Sequence, residues 1–169
     1  MILRSNSPQA RHPYYISVSL NCFTPSSHIT SVRKYEWSEL GELVGDFEIA
    51  AKDSKNVNTV FFRGREHPVE EVLVSSSKLF RHHWTWKPIE AHLPSLYWEA
   101  DNSGDIITCF LSKDRTNANL LAKFVPRSHR RRSGREFEHP KLEVTPKGHE
   151  VFEDVLISLL IIERLRTNV

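Results

Sequence analysis

At 100° per residue, the turn of an α-helix, Val155, Leu156, Ile157, Leu159, Leu160, Ile161 and Ile162 fall on every side of the circle. Ser158 is the one polar interruption. Glu150, Glu153 and Asp154 open the segment and Arg164 and Arg166 close it, the charge order that a helix dipole favours. A helix apolar all round has to be enclosed. Its unbroken apolar part is far shorter than the ~20 residues needed to cross a bilayer, so protein is the expected enclosure. The pattern predicts a central core helix over about residues 149–166. VLISLLII is also β-branched enough to be a buried strand, and periodicity alone does not separate the two. Length, end charges and the upstream Thr145-Pro146, with Pro suited to a first helical turn, favour helix.

Upstream the period changes to two. Tyr14, Ile16, Val18 and Leu20 alternate with Tyr15, Ser17 and Ser19, which predicts a half-buried strand. After a break at Pro25-Ser26-Ser27, residues 29–35 offer a second. Residues 37–51 read as two short strands joined near Gly45, because Gly41 and Gly45 oppose a helix. Residues 57–63 read as a strand, 64–68 as a turn, and 69–73 as a short helix or a strand. In residues 79–87, Phe80, His82, Trp84 and Trp86 share a face, and Leu96, Trp98 and Ala100 continue the alternation. Asp101-Asn102-Ser103-Gly104 is a turn signal ahead of a strand over residues 105–113. Leu120, Ala122 and Phe124 alternate with Leu121, Lys123 and Val125, and residues 137–144 supply the last strand. Residues 1–12 are polar and read as a flexible tail, leaving residues 13–169 as a single domain.

Some ten to twelve short strands and one wholly apolar helix point to an antiparallel β-barrel wrapped around that helix. A two-layer sandwich would leave one side of the helix wet. Its seven Leu, Ile and Val side chains, at about 1.5–3 kcal/mol each, would then forfeit several kcal/mol. That is a large part of the roughly 5–15 kcal/mol by which a domain is stable. The expected core is Trp84, Trp86 and Trp98 with Val155, Leu156, Ile157, Leu159, Leu160, Ile161 and Ile162.

Four stretches give this layout a likeness to known proteins: Trp84-Thr85-Trp86-Lys87, Leu121-Ala122-Lys123-Phe124, Leu142-Glu143-Val144, and the apolar run from Val155 to Arg164. Over about residues 14–166 the chain resembles the tubby C-terminal-like superfamily, with its LURP-one and phospholipid-scramblase relatives. Within it the chain most resembles a fungal group of unknown function. Arg81-His82-His83 stands where that group has a Gly before its tryptophan strand. The resemblance implies a barrel closed around a hydrophobic C-terminal helix. Tubby proteins bind phosphoinositides, but their binding lysines and arginines have no residue-by-residue counterparts here.

Composition adds little to this picture. At 169 residues the chain is the size of one domain, and its apolar and charged fractions are those of a globular protein. A formal net charge of +2 does not by itself imply a polyanionic partner, and nucleic acid is disfavoured. Cys22 and Cys109 form no metal-ligand spacing, and the expectation is two reduced, buried thiols. The first residues lack the apolar core of a secretory signal and the last carry no prenylation cysteine. The expected location is cytoplasmic, with nuclear as the alternative, and the favoured state is a monomer without a transmembrane segment.

The candidate chemistry is sparse. Arg127, His129, Arg130, Arg131, Arg132 and Arg135 place six potentially cationic side chains within nine residues. Such a run suits an anion-binding loop for phosphoinositide headgroups or an acidic membrane, but it also suits a solvated hairpin loop or a nuclear-localisation signal. His82 and His83 are adjacent, so a strand would send them to opposite faces and they would chelate no metal well. No HExxH, GxSxG, P-loop or GxGxxG occurs, and no catalytic residue, metal or cofactor is expected. Glu70-Glu71 and Glu36, Glu39 and Glu42 read as surface acids, and Trp37, Trp84, Trp86 and Trp98 as packed tryptophans. The expected function is a non-enzymatic intracellular binding or adaptor module. It would bind anionic phospholipid headgroups weakly, or alternatively a protein partner on its outer surface.

Overall fold

The computed structural model describes residues 2–3, 13–24, 27–35, 41–51, 57–78, 81–100, 106–126 and 139–167. The protein is mainly β, with two six-stranded antiparallel sheets and a C-terminal helix. Two compact units divide the chain, one of residues 1–71 and 157–169, the other of residues 72–156.

The first unit holds β1 (Ile2–Leu3), β2 (Tyr14–Leu20), β3 (Ser27–Lys34), β4 (Glu42–Ala50), β5 (Thr59–Phe62) and β6 (Arg65–Pro68), in that order across one meandering sheet. β1 lies inside the stretch read as a flexible tail, and it pairs Ile2 with Tyr15 and Leu3 with Tyr14. Successive rows cross the inner face: Ile16–Val32–Gly45–Phe62, then Val18–Thr30–Phe47–Val60. Residues 41–51 do not break at Gly45 as expected. β4 runs through it, with a register shift opposite Val32 and Arg33 that leaves Val44 as the extra residue of a bulge. A Cβ on Gly45 would stand 2.8 Å from the Phe61 carbonyl oxygen and 3.1 Å from the Phe62 ring, so glycine is there for close packing and not for a turn. The expected turn over residues 64–68 is shorter than that. Arg63 and Gly64, both at positive φ (53° and 73°), make a two-residue hairpin, and β6 follows at once. Residues 69–73, left open between helix and strand, begin as a single helical turn, α1 (Val69–Val72).

The second unit holds β7 (Leu73–Lys78), β8 (Arg81–Trp86), β9 (Leu96–Ala100), β10 (Ile107–Phe110), β11 (Leu120–Val125) and β12 (Lys141–Val144), again a meander of neighbours. β7 was not anticipated: its Ser75-Ser76-Ser77 core offers no alternation, and pairing with β8 is what makes it a strand. One inner row crosses the sheet as Trp84–Trp98–Cys109–Ala122–Val144. Trp86, Trp98, Cys109 and Ala122 are wholly buried and Trp84 nearly so. Strict alternation fails in β11, where Leu121 and Ala122 are both buried. A register shift between Cys109 and Phe110 leaves Leu121 as a bulge residue, which turns two successive side chains inward.

Thr145 carries the chain from β12 into α2 (Pro146–His149). Its hydroxyl oxygen accepts from the Gly148 N–H at 3.2 Å, and Pro146 occupies the first turn. After Glu150 and Val151, α3 (Phe152–Thr167) begins. It contributes its first residues to the second unit and residues 157–167 to the first. Val155, Leu156, Ile157, Ser158, Leu159, Ile161 and Ile162 are buried. Asp154, expected only as an acid near a helix start, is buried too and accepts from the Trp86 Nε1–H at 3.0 Å. Leu160 departs from the expected core: it is only half-buried and lines an open groove. Among the described residues, no helix is long and apolar enough to cross a membrane.

Candidate functional site

Among the described residues, β1 pairs with Tyr14 and Tyr15 of β2. Farther along, Ile16, Val18 and Leu20 all face inward, yet their fates differ. Ile16 is buried, whereas Val18 and Leu20 are 58% and 65% exposed. Apolar side chains on this face of β2 form the floor of a groove of about 580 Å³ within the first unit. Tyr15, Ile16, Ser17 and Val18 line it from β2, Thr30 and Phe47 from the neighbouring strands, and Leu160, Glu163, Arg164 and Thr167 from α3. The four helix residues are spaced i, i+3, i+4 and i+7, which puts them on one face.

The polar end of the groove is unevenly balanced. Glu163 is neutralised by Arg166, Nη1 to Oε1 at 2.8 Å. The Thr167 hydroxyl donates to the Glu163 carbonyl oxygen at 2.8 Å. The Arg164 guanidinium has no acidic partner among the described residues, and its Nε is buried without a hydrogen-bond acceptor. The groove thus ends in one uncompensated cation beside apolar walls.

A second polar cluster lies where β2 turns into β3. The Glu48 carboxylate accepts from the Ser27 hydroxyl, from Asn21 Nδ2 at 2.8 Å and from Thr24 Oγ1 at 2.9 Å. The Ser27 hydroxyl first, then the Asn21 and Thr24 donors, hold the Glu48 carboxyl below the usual glutamate value against a smaller desolvation effect. The clasp is structural, for it pins the turn that carries Cys22 and the almost fully exposed Phe23.

Of the residues singled out from sequence, Arg127, His129, Arg130, Arg131, Arg132 and Arg135 lie outside the described residues, as do Trp37, Phe80, Glu36 and Glu39. The described residues on either side of the basic run are adjacent in space, because Val125 at the end of β11 pairs with Lys141 at the start of β12. His82 is exposed and not packed inward, and its ring stacks on Trp84 with centroids 6.0 Å apart. Cys22, expected to be buried, is exposed. Cys109 is buried, and burial pushes its thiol well above the ordinary range. Glu42, Glu70 and Glu71 are exposed and apart from the groove. Among the described residues no cluster of three or more His, Cys, Asp or Glu could hold a metal ion. Sequence reasoning missed Glu163 and Arg164 as groove residues. The spacing of Leu160, Glu163, Arg164 and Thr167 carries the signal, but the sequence reading treats Arg164 only as a favourable charge at the end of a helix and does not single out Glu163.

A family model described as a family of unknown function, DUF6593, matches residues 3–168. The chain belongs to that family. In this DUF6593 member the match extends from β1 to the last turn of α3, so it takes in both sheets and the groove. No curated protein and no solved structure matches the chain.

Proposed function

We propose that this DUF6593 protein is a non-enzymatic intracellular binding or adaptor module that associates weakly with anionic phospholipid headgroups, phosphoinositides foremost, through Arg127, His129, Arg130, Arg131, Arg132 and Arg135. The observation that supports this reading is the Val125–Lys141 pairing. It brings the two described ends of the connection, Val125 and Lys141, to one point of the sheet, and the basic run belongs to the sequence that joins them. Lys141 is already engaged by Glu143 at 2.6 Å, so the surplus charge at this end belongs to the arginines, diminished by Glu136 and Glu138. A tubby-like, LURP-one-like barrel of about ten to twelve strands around the last helix, a monomeric state and a cytoplasmic location form part of the same reading.

Each surface arginine adds about 1 kcal/mol toward an acidic membrane, so Arg130, Arg131 and Arg132 together carry about 3 kcal/mol, or roughly a hundredfold in affinity. Co-sedimentation with phosphoinositide vesicles tests this. Binding should weaken with added salt and fall by about that factor when all three are changed to Ala. Wild-type protein that ignores such vesicles at low salt would end the lipid reading.

One observation favours a second reading, a protein-interaction surface. Phe23 is 92% exposed on the turn held by Glu48, a poor place for a phenyl ring that meets only water. A partner captured at physiological salt by wild-type protein and lost with Phe23→Ser would support it. Capture unchanged by that substitution would remove it.

A further inference from the structure

We propose that the groove between β2 and the last turns of α3 is a binding site for a medium-chain aliphatic carboxylate, held by the Arg164 guanidinium at one end and by Ile16, Val18, Phe47 and Leu160 along its length.

The chemistry of the occupant follows from the lining. Val18 and Leu160 expose apolar surface on the core side of the sheet, where water gains nothing from meeting it. The volume of about 580 Å³ falls among small-molecule sites. From Leu160 to Thr167 the helix advances about 10 Å at ~1.5 Å per residue, which suits a chain of intermediate length and not a long one. The charge selects an anion. Glu163 is spoken for by Arg166, whereas Arg164 lines the same wall with no acidic partner among the described residues. A carboxylate offers two acceptor oxygens in the plane a guanidinium presents, and it would pair with the terminal nitrogens of Arg164, the cation that lines the groove. Arg164 is the single cation among the lining residues. A monoanion matches that count, while a phosphate dianion would be left half-neutralised. The source is the free acid in water, since the groove carries only this one positive charge toward a membrane surface.

The test is a titration of the full chain with decanoate below its micelle concentration, read by backbone and arginine-side-chain NMR shifts, beside decanol and decyltrimethylammonium. Decanoate should shift Tyr15–Val18 and the Arg164 Nε–H, and should bind about tenfold more tightly than decanol, the scale of one charge-assisted hydrogen bond. Arg164→Gln should bring decanoate down to the decanol level. Val18→Glu, at an exposed position that leaves the core untouched, should abolish it by repulsion. Changing Arg130, Arg131 and Arg132 to Ala should leave it unaltered, which separates this site from the basic run. Equal affinity for decanoate and decanol, undiminished binding in Arg164→Gln, binding lost only in the triple variant, or shifts confined to other strands would each overturn the assignment.

Discussion

The contact between Trp86 and Asp154 offers a sharp test of how the first turn of α3 is held within the second unit. Trp86 is wholly buried, Asp154 is 2% exposed, and the indole N–H donates to the carboxylate at 3.0 Å. Asp154→Ala removes the acceptor and Trp86→Phe removes the donor, and each leaves a buried polar group short of this partner. Such a loss costs about 1–3 kcal/mol. Trp86→Phe adds a cavity term because a phenyl ring does not fill the space of an indole. The single variants alone therefore do not isolate the bond, but a double-mutant cycle does. We expect a coupling of about 1–2 kcal/mol between the two positions, within the range for residues in direct contact. For Asp154→Ala at about 2 kcal/mol, the melting temperature of a chain this size should fall by roughly 4–8 °C. Urea unfolding followed by far-ultraviolet circular dichroism is the suitable assay, since tryptophan fluorescence changes with the substitution itself. Coupling within about 0.3–0.5 kcal/mol of zero would refute the reasoning, because the two effects would then be independent.

Glu48 makes a pH prediction. Its carboxyl is held below the usual value of about 4.5, chiefly by the Ser27 hydroxyl, so its contribution to stability is complete above that value and is lost as pH falls through the lower folded-state value. The Ser27 and Asn21 amide resonances should follow this loss in acid, and Glu48→Gln should flatten it; an unchanged acid profile in that variant would contradict the assignment. Gly148→Ala should destabilise by about 1–3 kcal/mol, because a Cβ there would collide with the Leu121 carbonyl oxygen and stand 2.8 Å from Val144 Cγ1. A thermal melt equal to wild type would show that α2 shifts freely on β11. A thiol reagent should label Cys22 quickly in the native protein and Cys109 only on unfolding, given the burial and raised thiol pKa of the latter; two fast thiols would mean that the inner row of the second sheet is open.

What could be read from the chain was set by periodicity. Alternation in Tyr14–Leu20, in His82–Trp86 and in Leu96–Ala100 is a property of adjacent residues, and it survives any tertiary arrangement that makes them strands. The same holds for the apolar girth of Val155–Ile162, but Thr145-Pro146, expected to lead into that helix, opens the separate turn α2 instead. Elements without an internal signal escaped notice. β7 is mostly serine and becomes a strand through its neighbour, and β6 is four residues whose extension depends on the hairpin at Arg63-Gly64. The bulges at Val44 and Leu121 could not be foreseen either. They are mismatches between two strands, and neither strand carries the mismatch alone.

The candidate site divides in the same way. By itself the sequence determined that a basic run lies between two strand-forming segments, that β2 has an apolar side, and that α3 ends in charge. Only the tertiary structure decided how that side is exposed, which is a matter of packing: Ile16 is buried, whereas Val18 and Leu20 on the same side of β2 are left exposed. The Glu163–Arg166 pair is local, three residues apart on one helix, whereas the place of Arg164 in the groove wall is set by packing. Which side chains share a face is a local consequence of backbone geometry. That β2 and the end of α3 meet to line one groove joins segments more than a hundred residues apart, and no pattern within either segment records that meeting.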